Sequence, residues 1–302
     1  MDGKLKLAVM TNTLQSNRGS KVRTPVVDCM RRLRAMGIKE MDLGLAYLLF
    51  DDPDITEENW YEKGCEIRDE AQKLGITFVQ GHLPFRKKSF NAHNQAELDY
   101  LNSAMLRALR IAGMCHAQWM VIHPVEHPDY PEDAVEEHVA ENRRIYAPLM
   151  EEAAKYDVGL VFENIPRWGA RGRFGATASD LIAVIDSYKD PKVRACWDFG
   201  HANINLGNLQ TYDIRKLGSR LKTVHVHDNR DQGDDHLCPY LGNIKWEHIF
   251  KALKAINFSG YWVFETGTSK NFPDDFKDRT VKFSLDVARY MIKKYNSLDP
   301  EF

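Results

Sequence analysis

Residues 223–236 read TVHVHDNRDQGDDH, which places three histidines and four aspartates within fourteen positions. Imidazole nitrogens and carboxylate oxygens at this density are the donors that hold a divalent cation. The same residue types recur in GHLP (81–84), VIHP (121–124), VFEN (161–164), DFGH (198–201) and FET (264–266). Two of these stretches contribute a glutamate, Glu163 and Glu265. Two carboxylates on opposite faces of a bound carbonyl compound can remove a proton from one side and return it from the other. A cation between them stabilises the enediolate as a Lewis acid.

Such chemistry needs a scaffold that brings distant residues together. Short apolar runs fall at 5–12, 40–45, 77–82, 117–123, 159–164, 193–201, 221–229 and 260–266, and read as strands. Amphipathic stretches lie between them. PVVDCMRRLRAMG ends at Gly37, EENWYEKGCEIRDEAQKLG at Gly75 and AELDYLNSAMLRALRIAG at Gly113, each a glycine stop. PEDAVEEHVAENRRIYAPLMEEAAKY reads as a long helix interrupted by Pro148. SDLIAVIDSY, KWEHIFKALKAI and DDFKDRTVKFSLDVARYMIKKY complete the set, and the segment between strands six and seven is weak. Eight strands alternating with about eight helices predict a closed (β/α)8 TIM barrel spanning 1–302 as one domain. No GxGxxG follows the first strand, which argues against a doubly wound dinucleotide fold.

Catalytic groups of a parallel barrel stand at the C-terminal strand ends. Strands three to eight end at His82, His123, Glu163, Asp198 with His201, His225 with His227 and Asp228, and Glu265. Asp234 and His236 follow in the next loop. An unpaired charge in a barrel mouth is costly, and a divalent ion resolves the cost. Glu163, Asp198, His225 and Glu265 form a mostly oxygen donor set suited to one divalent metal, Mn²⁺ first, then Mg²⁺, Co²⁺ or Zn²⁺. Asp228 is expected to support His225 from behind, and Cys196 to be core. His93, His116, His138 and His248 are expected at the surface.

The bulk numbers set limits. The 41 basic and 43 acidic residues give a net charge of −2, which supplies no global field for nucleic acid. The N-terminal apolar run is too short for a signal peptide or a membrane span. The five cysteines form no CxxC, and are expected to be reduced thiols of a cytoplasmic protein.

Taken together, GHLP, VIHP, VFEN, DFGH, HVHD (225–228), DDH (234–236), LGNIKW (241–246) and FET resemble the xylose-isomerase-like barrels. That family includes sugar epimerases and isomerases, inosose dehydratases and type-IV apurinic endonucleases. The resemblance implies Glu163, Asp198, His225 and Glu265 as metal ligands, and Glu163 and Glu265 as acid/base pair. It implies His201 in contact with substrate hydroxyls. His82, His123, Arg167, Trp168, His227, Asp234 and His236 are expected to line the substrate. The sequence departs from the ketohexose 3-epimerases at Gly169 and Asp231, where those enzymes carry Glu and Arg. The endonuclease branch uses nine ligands for three zincs, and similar residues are all present here.

The expected activity is therefore a sugar, keto-sugar or cyclitol isomerase or epimerase. Elimination by a lyase or dehydratase shares its first step. A three-zinc endonuclease and a non-catalytic sugar-binding barrel are the other readings. The loops FRKKSF (85–90) and PRWGARGRFG (166–175) are expected to set substrate choice. The second offers Arg167, Arg171 and Arg173 for an anion, or Trp168 and Phe174 for stacking. The resemblance also implies a small carbohydrate as partner, and barrels of this family often pair into homo-oligomers; the short apolar runs argue against a membrane, and the balanced charge against nucleic acid as partner.

Overall fold

Strands β1 (Leu5–Met10), β2 (Glu40–Gly44), β3 (Thr77–His82), β4 (Trp119–Ile122), β5 (Gly159–Glu163), β6 (Val193–Asp198), β7 (Leu221–Val226) and β8 (Gly260–Phe264) pair in parallel in chain order. β8 closes on β1 through Leu5–Val9, so the sheet is a barrel without edges. This computed structural model describes residues 4–15, 24–46, 54–85, 94–127, 129–167, 173–231, 233–268 and 272–298. No helix among the described residues is long and apolar enough to cross a membrane.

The strands alternate as their sequences require. Inward residues of β4–β6, Val121, Val161 and Cys196, form one interior layer, so Cys196 is core as expected. Ala8, Val79 and Val263 form another. Outward residues such as Phe78, Met120, Phe162, Trp197 and Phe264 merge with helix residues into one continuous core. Full burial of side chains of this size contributes about 1.5–3 kcal/mol each.

The outer helices are α1 (Asn12–Gln15), α2 (Val26–Ala35), α3 (Trp60–Leu74), α4 (Gln95–Met114), α5 (Val135–Lys155), α6 (Ala178–Tyr188), α7 (Phe199–Leu206), α8 (Gln210–Leu217), α9 (Trp246–Ala255) and α10 (Asp274–Asn296). Their caps follow the sequence. Gly75 ends α3 in the left-handed region at φ 63. Thr177 and Asp180 cap α6 reciprocally.

Of the boundaries that differ from the sequence reading, three have a plain local cause. α4 runs past Gly113, because that glycine makes room for the Tyr156 ring rather than stopping the helix; a Cβ there would lie 2.4 Å from Tyr156 Cγ. α5 runs through Pro148 without interruption, since burial of Ile145, Leu149 and Ala153 along its inner face holds the turn against the lost bond. β6 stops at Asp198, and residues 199–201 begin α7 instead of extending the strand. The cause is local: the Asp198 side chain accepts from His201 N at 2.7 Å and caps the helix.

Candidate active site

The strand ends converge. One ligand atom each of Glu163, Asp198, His225 and Glu265 lies within 4.8 Å of all the others. His225 Nδ1 lies 2.6 Å from Glu163 Oε1, 3.0 Å from Glu265 Oε2 and 3.8 Å from Asp198 Oδ2. Glu163, Asp198 and His225 are almost fully buried, while the Glu265 side chain keeps 19% of its surface exposed. Asn164 fixes Asp198 by accepting from its N–H at 2.7 Å and donating to its carbonyl at 3.0 Å.

Two groups flank this centre. On one side His82 Nε2 and His123 Nε2 face Glu163 Oε2 at 3.2 and 3.0 Å. Phe85 stacks on His123 with ring centroids 4.6 Å apart. On the other, His227 Nε2 lies 3.0 Å from Asp198 Oδ2 and stacks on His236 at 4.1 Å. Asp234 Oδ2 lies 3.1 Å from His236 Nε2 and 3.7 Å from His201 Nε2.

The backbone fixes three of these rings. His82 Nδ1 donates to Leu83 O, His201 Nδ1 to Asn164 O and His236 Nδ1 to Glu265 O, all at 2.8 Å. A ring that donates from Nδ1 turns Nε2 towards its carboxylate. Nε2 then either carries a second proton or offers its lone pair to a cation beside that carboxylate.

Charge follows geometry. Burial pushes the Glu163 carboxyl up, but His225, His123 and His82 overrule it and hold it well below the usual range. Asp198 is likewise lowered, by His201 and His227 against burial. Burial lowers His225, yet Cys196, Glu163 and Glu265 raise it well above an ordinary imidazole. Burial also opposes the rise at His82, caused by Glu163, and at His201, caused by Asp198 and Asp234. Burial is likewise overcome at His236, where Asp234 raises the ring to about 9. Asp234 is held well below the usual range, the charges of His236 and His201 outweighing its burial. At His123 burial wins and lowers the ring to about 4. His123 is therefore neutral at neutral pH, while burial is overcome at the rings beside it.

These donors fit a divalent cation. Three carboxylates meet in a largely buried site, and among the described residues the only cationic side chains that can face them are imidazoles. Protons on the histidines balance the charge that an ion would otherwise balance.

Other expected residues sit elsewhere. Asp228 shares a face with Val224 and Val226, away from His225. Its carboxylate accepts from Asn229 N, Tyr240 N, Ile244 N and Trp246 Nε1 at 2.9–3.2 Å. Asp228 thus ties HVHD to LGNIKW rather than supporting the histidine. Phe174 is buried against His138 at 4.6 Å and offers no stacking face. His138, expected at the surface, is fully buried, donating from Nε2 to Pro131 O. Arg173 lies 3.7 Å from Glu126 and donates to Pro166 O. Arg167 is held by its main chain, donating to Asn205 Oδ1 at 2.6 Å. Trp168, Arg171, His93 and residues 86–90 lie outside the described residues.

Comparison with known proteins agrees with this architecture. The model of the xylose isomerase-like TIM barrel family matches residues 30–288. An uncharacterized protein of Methanocaldococcus jannaschii is 26% identical over 221 residues, covering 72% of this chain and 73% of its own length. The D-psicose 3-epimerase of Enterocloster bolteae is 24% identical over 245 residues, 78% of this chain and 75% of its own. The crystal structure of the IOLI protein with a bound zinc atom superposes with a TM-score of 0.69 at 14% identity, covering 97% of this chain and 100% of that one.

Proposed function

The chain belongs to the xylose isomerase-like TIM barrel family, and we propose that it is a divalent-metal-dependent isomerase or epimerase of a keto-sugar or cyclitol. The observation that carries this is the convergence of Glu163, Asp198, His225 and Glu265 within 4.8 Å. A divalent cation held by these four side chains supplies Lewis-acid stabilisation of the charge that develops when a proton leaves the carbon beside a carbonyl.

The protein's own groups do the rest. Glu163 and Glu265 come from strands separated by two others, so they approach a bound sugar from different sides. One of the two carboxylates takes the proton from the carbon on its side, and the other, entering as the carboxylic acid, delivers its own proton to the opposite side, so the pair ends with the two roles exchanged. Neutral His123 can accept from or donate to a hydroxyl, and His201, whose Nδ1 donates to Asn164 O, presents Nε2 to one. The Phe85–His123 stack forms one apolar wall that excludes water near Glu163.

Metal content tests the reading, measured by plasma mass spectrometry on protein purified without chelators or a metal-affinity tag. One Mn, Mg, Co or Zn per chain is expected, followed by solvent-deuterium incorporation into a member of a keto-sugar panel. No ion after incubation with each metal would refute the four-ligand centre.

A second reading is favoured by the fixed histidines. Among the further groups whose ligand atoms lie within 4.8 Å of one another are His82 with His123 and Glu163, Asp198 with His201 and His227, and His227 with His236 and Glu265. Close to three zincs per chain would support phosphodiester chemistry on abasic DNA instead. The net charge of −2 weighs against gripping several phosphates.

A further inference from the structure

His225 turns Nδ1 to the carboxylates and Nε2 to Gln80, whose amide nitrogen lies 2.6 Å away. The same amide nitrogen donates to Asp42 Oδ2 at 2.7 Å. Asp42, Gln80 and His225 are all fully buried. Asp42 Oδ1 and Gln80 Oε1 are buried without a hydrogen-bond partner.

A carboxylate and an amide left half satisfied inside a barrel are costly, and the cost needs a reason. Their position is built deliberately. Met41 pairs with Phe78 and Asp42 with Gln80, so β3 carries one extra residue, Val79. Val79 joins the interior layer, and the bulge lets the next residue, Gln80, also reach inward.

A histidine that ligates through Nδ1 carries its hydrogen on Nε2, and the partner of Nε2 orients the ring. In the arrangement seen, the Gln80 amide nitrogen faces Nε2, so a neutral ring there carries its hydrogen on Nδ1, towards Glu163. Half a turn of the amide presents Oε1 to an Nε2–H instead and gives up the bond to Asp42 Oδ2. A primary amide is the neutral group that can serve both tautomers from one backbone position.

We propose that Gln80 is the positioning residue of His225: tied to Asp42 when the ring hydrogen is on Nδ1, it aims the ring, and with its amide turned it accepts the Nε2 hydrogen when Nδ1 ligates a divalent cation. This rests on reading the four-donor centre as a cation site.

The test is Mn²⁺ titration of the full chain after chelator stripping, with free Mn²⁺ read by electron paramagnetic resonance. Thermal melts of each metal-free variant run in parallel. Gln80→Leu is expected to weaken Mn²⁺ binding about 10- to 100-fold, the usual effect of losing such a support. The exchanged pair Asp42→Asn with Gln80→Glu is expected to keep wild-type affinity. Its new carboxylate accepts from Nε2–H, and its new amide donates to that carboxylate. Wild-type affinity in Gln80→Leu overturns this inference and leaves the cation centre standing. If Gln80→Leu fails to fold, the exchanged pair decides. A loss of about tenfold or more in that variant, folded, overturns the inference. A wild-type chain that takes up no Mn²⁺ overturns both.

Discussion

Replacing Asp228 by Asn separates a structural role from a metal-supporting one. The Asp228 carboxylate is fully buried and accepts four hydrogen bonds. One oxygen takes Asn229 N and Ile244 N, and the other takes Tyr240 N and Trp246 Nε1. Gly242 packs so closely here that a Cβ would lie 2.2 Å from Asp228 Oδ1, so the loop cannot shift to compensate. Asparagine keeps one acceptor oxygen and turns an amide N–H₂ towards the other pair. Either orientation leaves two buried donors facing a donor. Each unsatisfied group costs about 1–3 kcal/mol, for a total of about 2–6 kcal/mol. An unfolding entropy of about 2.1 cal/mol/K per residue over 302 residues makes 1 kcal/mol worth roughly 1.6 °C. Asp228→Asn should therefore lower the melting temperature of the metal-free protein by about 3–10 °C. Its Mn²⁺ affinity should stay at the wild-type value, because Gln80 and Asp42, not Asp228, stand behind His225. The readouts are a circular-dichroism melt and the same Mn²⁺ titration. A shift below about 2 °C, or a folded variant with affinity down about tenfold, would refute this assignment.

Three other outcomes are expected. In the metal-free protein His236 is raised to about 9, so its stabilising contribution is complete below about pH 6.5 and is lost as pH rises through about 9. The melting temperature should fall across that window, and His236→Asn should flatten the fall; a wild-type profile unchanged by the substitution would contradict the Asp234–His236 pairing. Gly200→Ala would place Cβ 2.0 Å from Cε1 of buried His227. Overpacking of about 1–3 kcal/mol exceeds the helix-propensity gain of up to about 1 kcal/mol, so a melt should show net destabilisation, and an unchanged or higher melting temperature would mean that His227 can move aside. Among the five free thiols, Cys29, Cys115, Cys196 and Cys238 are buried, and burial pushes Cys29 and Cys115 up to about 12 and Cys238 to about 11. Native protein should therefore react with a thiol reagent at Cys65 first, and fast labelling at two or more sites by peptide mapping would show that the helical layer opens.

The barrel was legible because each strand is a short apolar run between amphipathic stretches, and the strand-end rule then pointed to four side chains whose ligand atoms the fold brings within 4.8 Å of one another. The errors have local causes. WDFGH looks like a continuous strand, but Asp198 is also a helix cap, and that bond ends β6 three residues early. Gly113 looks like a stop, but its missing Cβ is filled by a ring from the far end of α5. Asp228 could have been placed correctly from the sequence. Strict alternation puts it with Val224 and Val226, opposite His225 and His227, and its proximity in sequence to the histidines misled. Asp42 and Gln80 could not. Alternation through TFVQGH assigns Val79 and Gln80 to opposite faces, and only the pairing register reveals the extra residue that turns both inward.

That hidden pair bears on how the site is controlled. His82, His201 and His236 are each fixed by a main-chain carbonyl. Any sequence that keeps the strand ends in place therefore keeps these rings in one tautomer. His225 differs, since its distal nitrogen meets a side chain, Gln80, and that partner depends on a single codon. A carbonyl can only accept, whereas an amide can accept or donate. The flanking histidines are thus committed to turning Nε2 towards the carboxylates with or without an ion. The ring at the centre can change tautomer as the centre is filled or emptied. Affinity for the cation should accordingly respond more to substitutions at 42 and 80 than to equally buried substitutions at 228. It is this ordering, rather than the size of any one effect, that distinguishes a supported ligand from a ligand that merely happens to be buried.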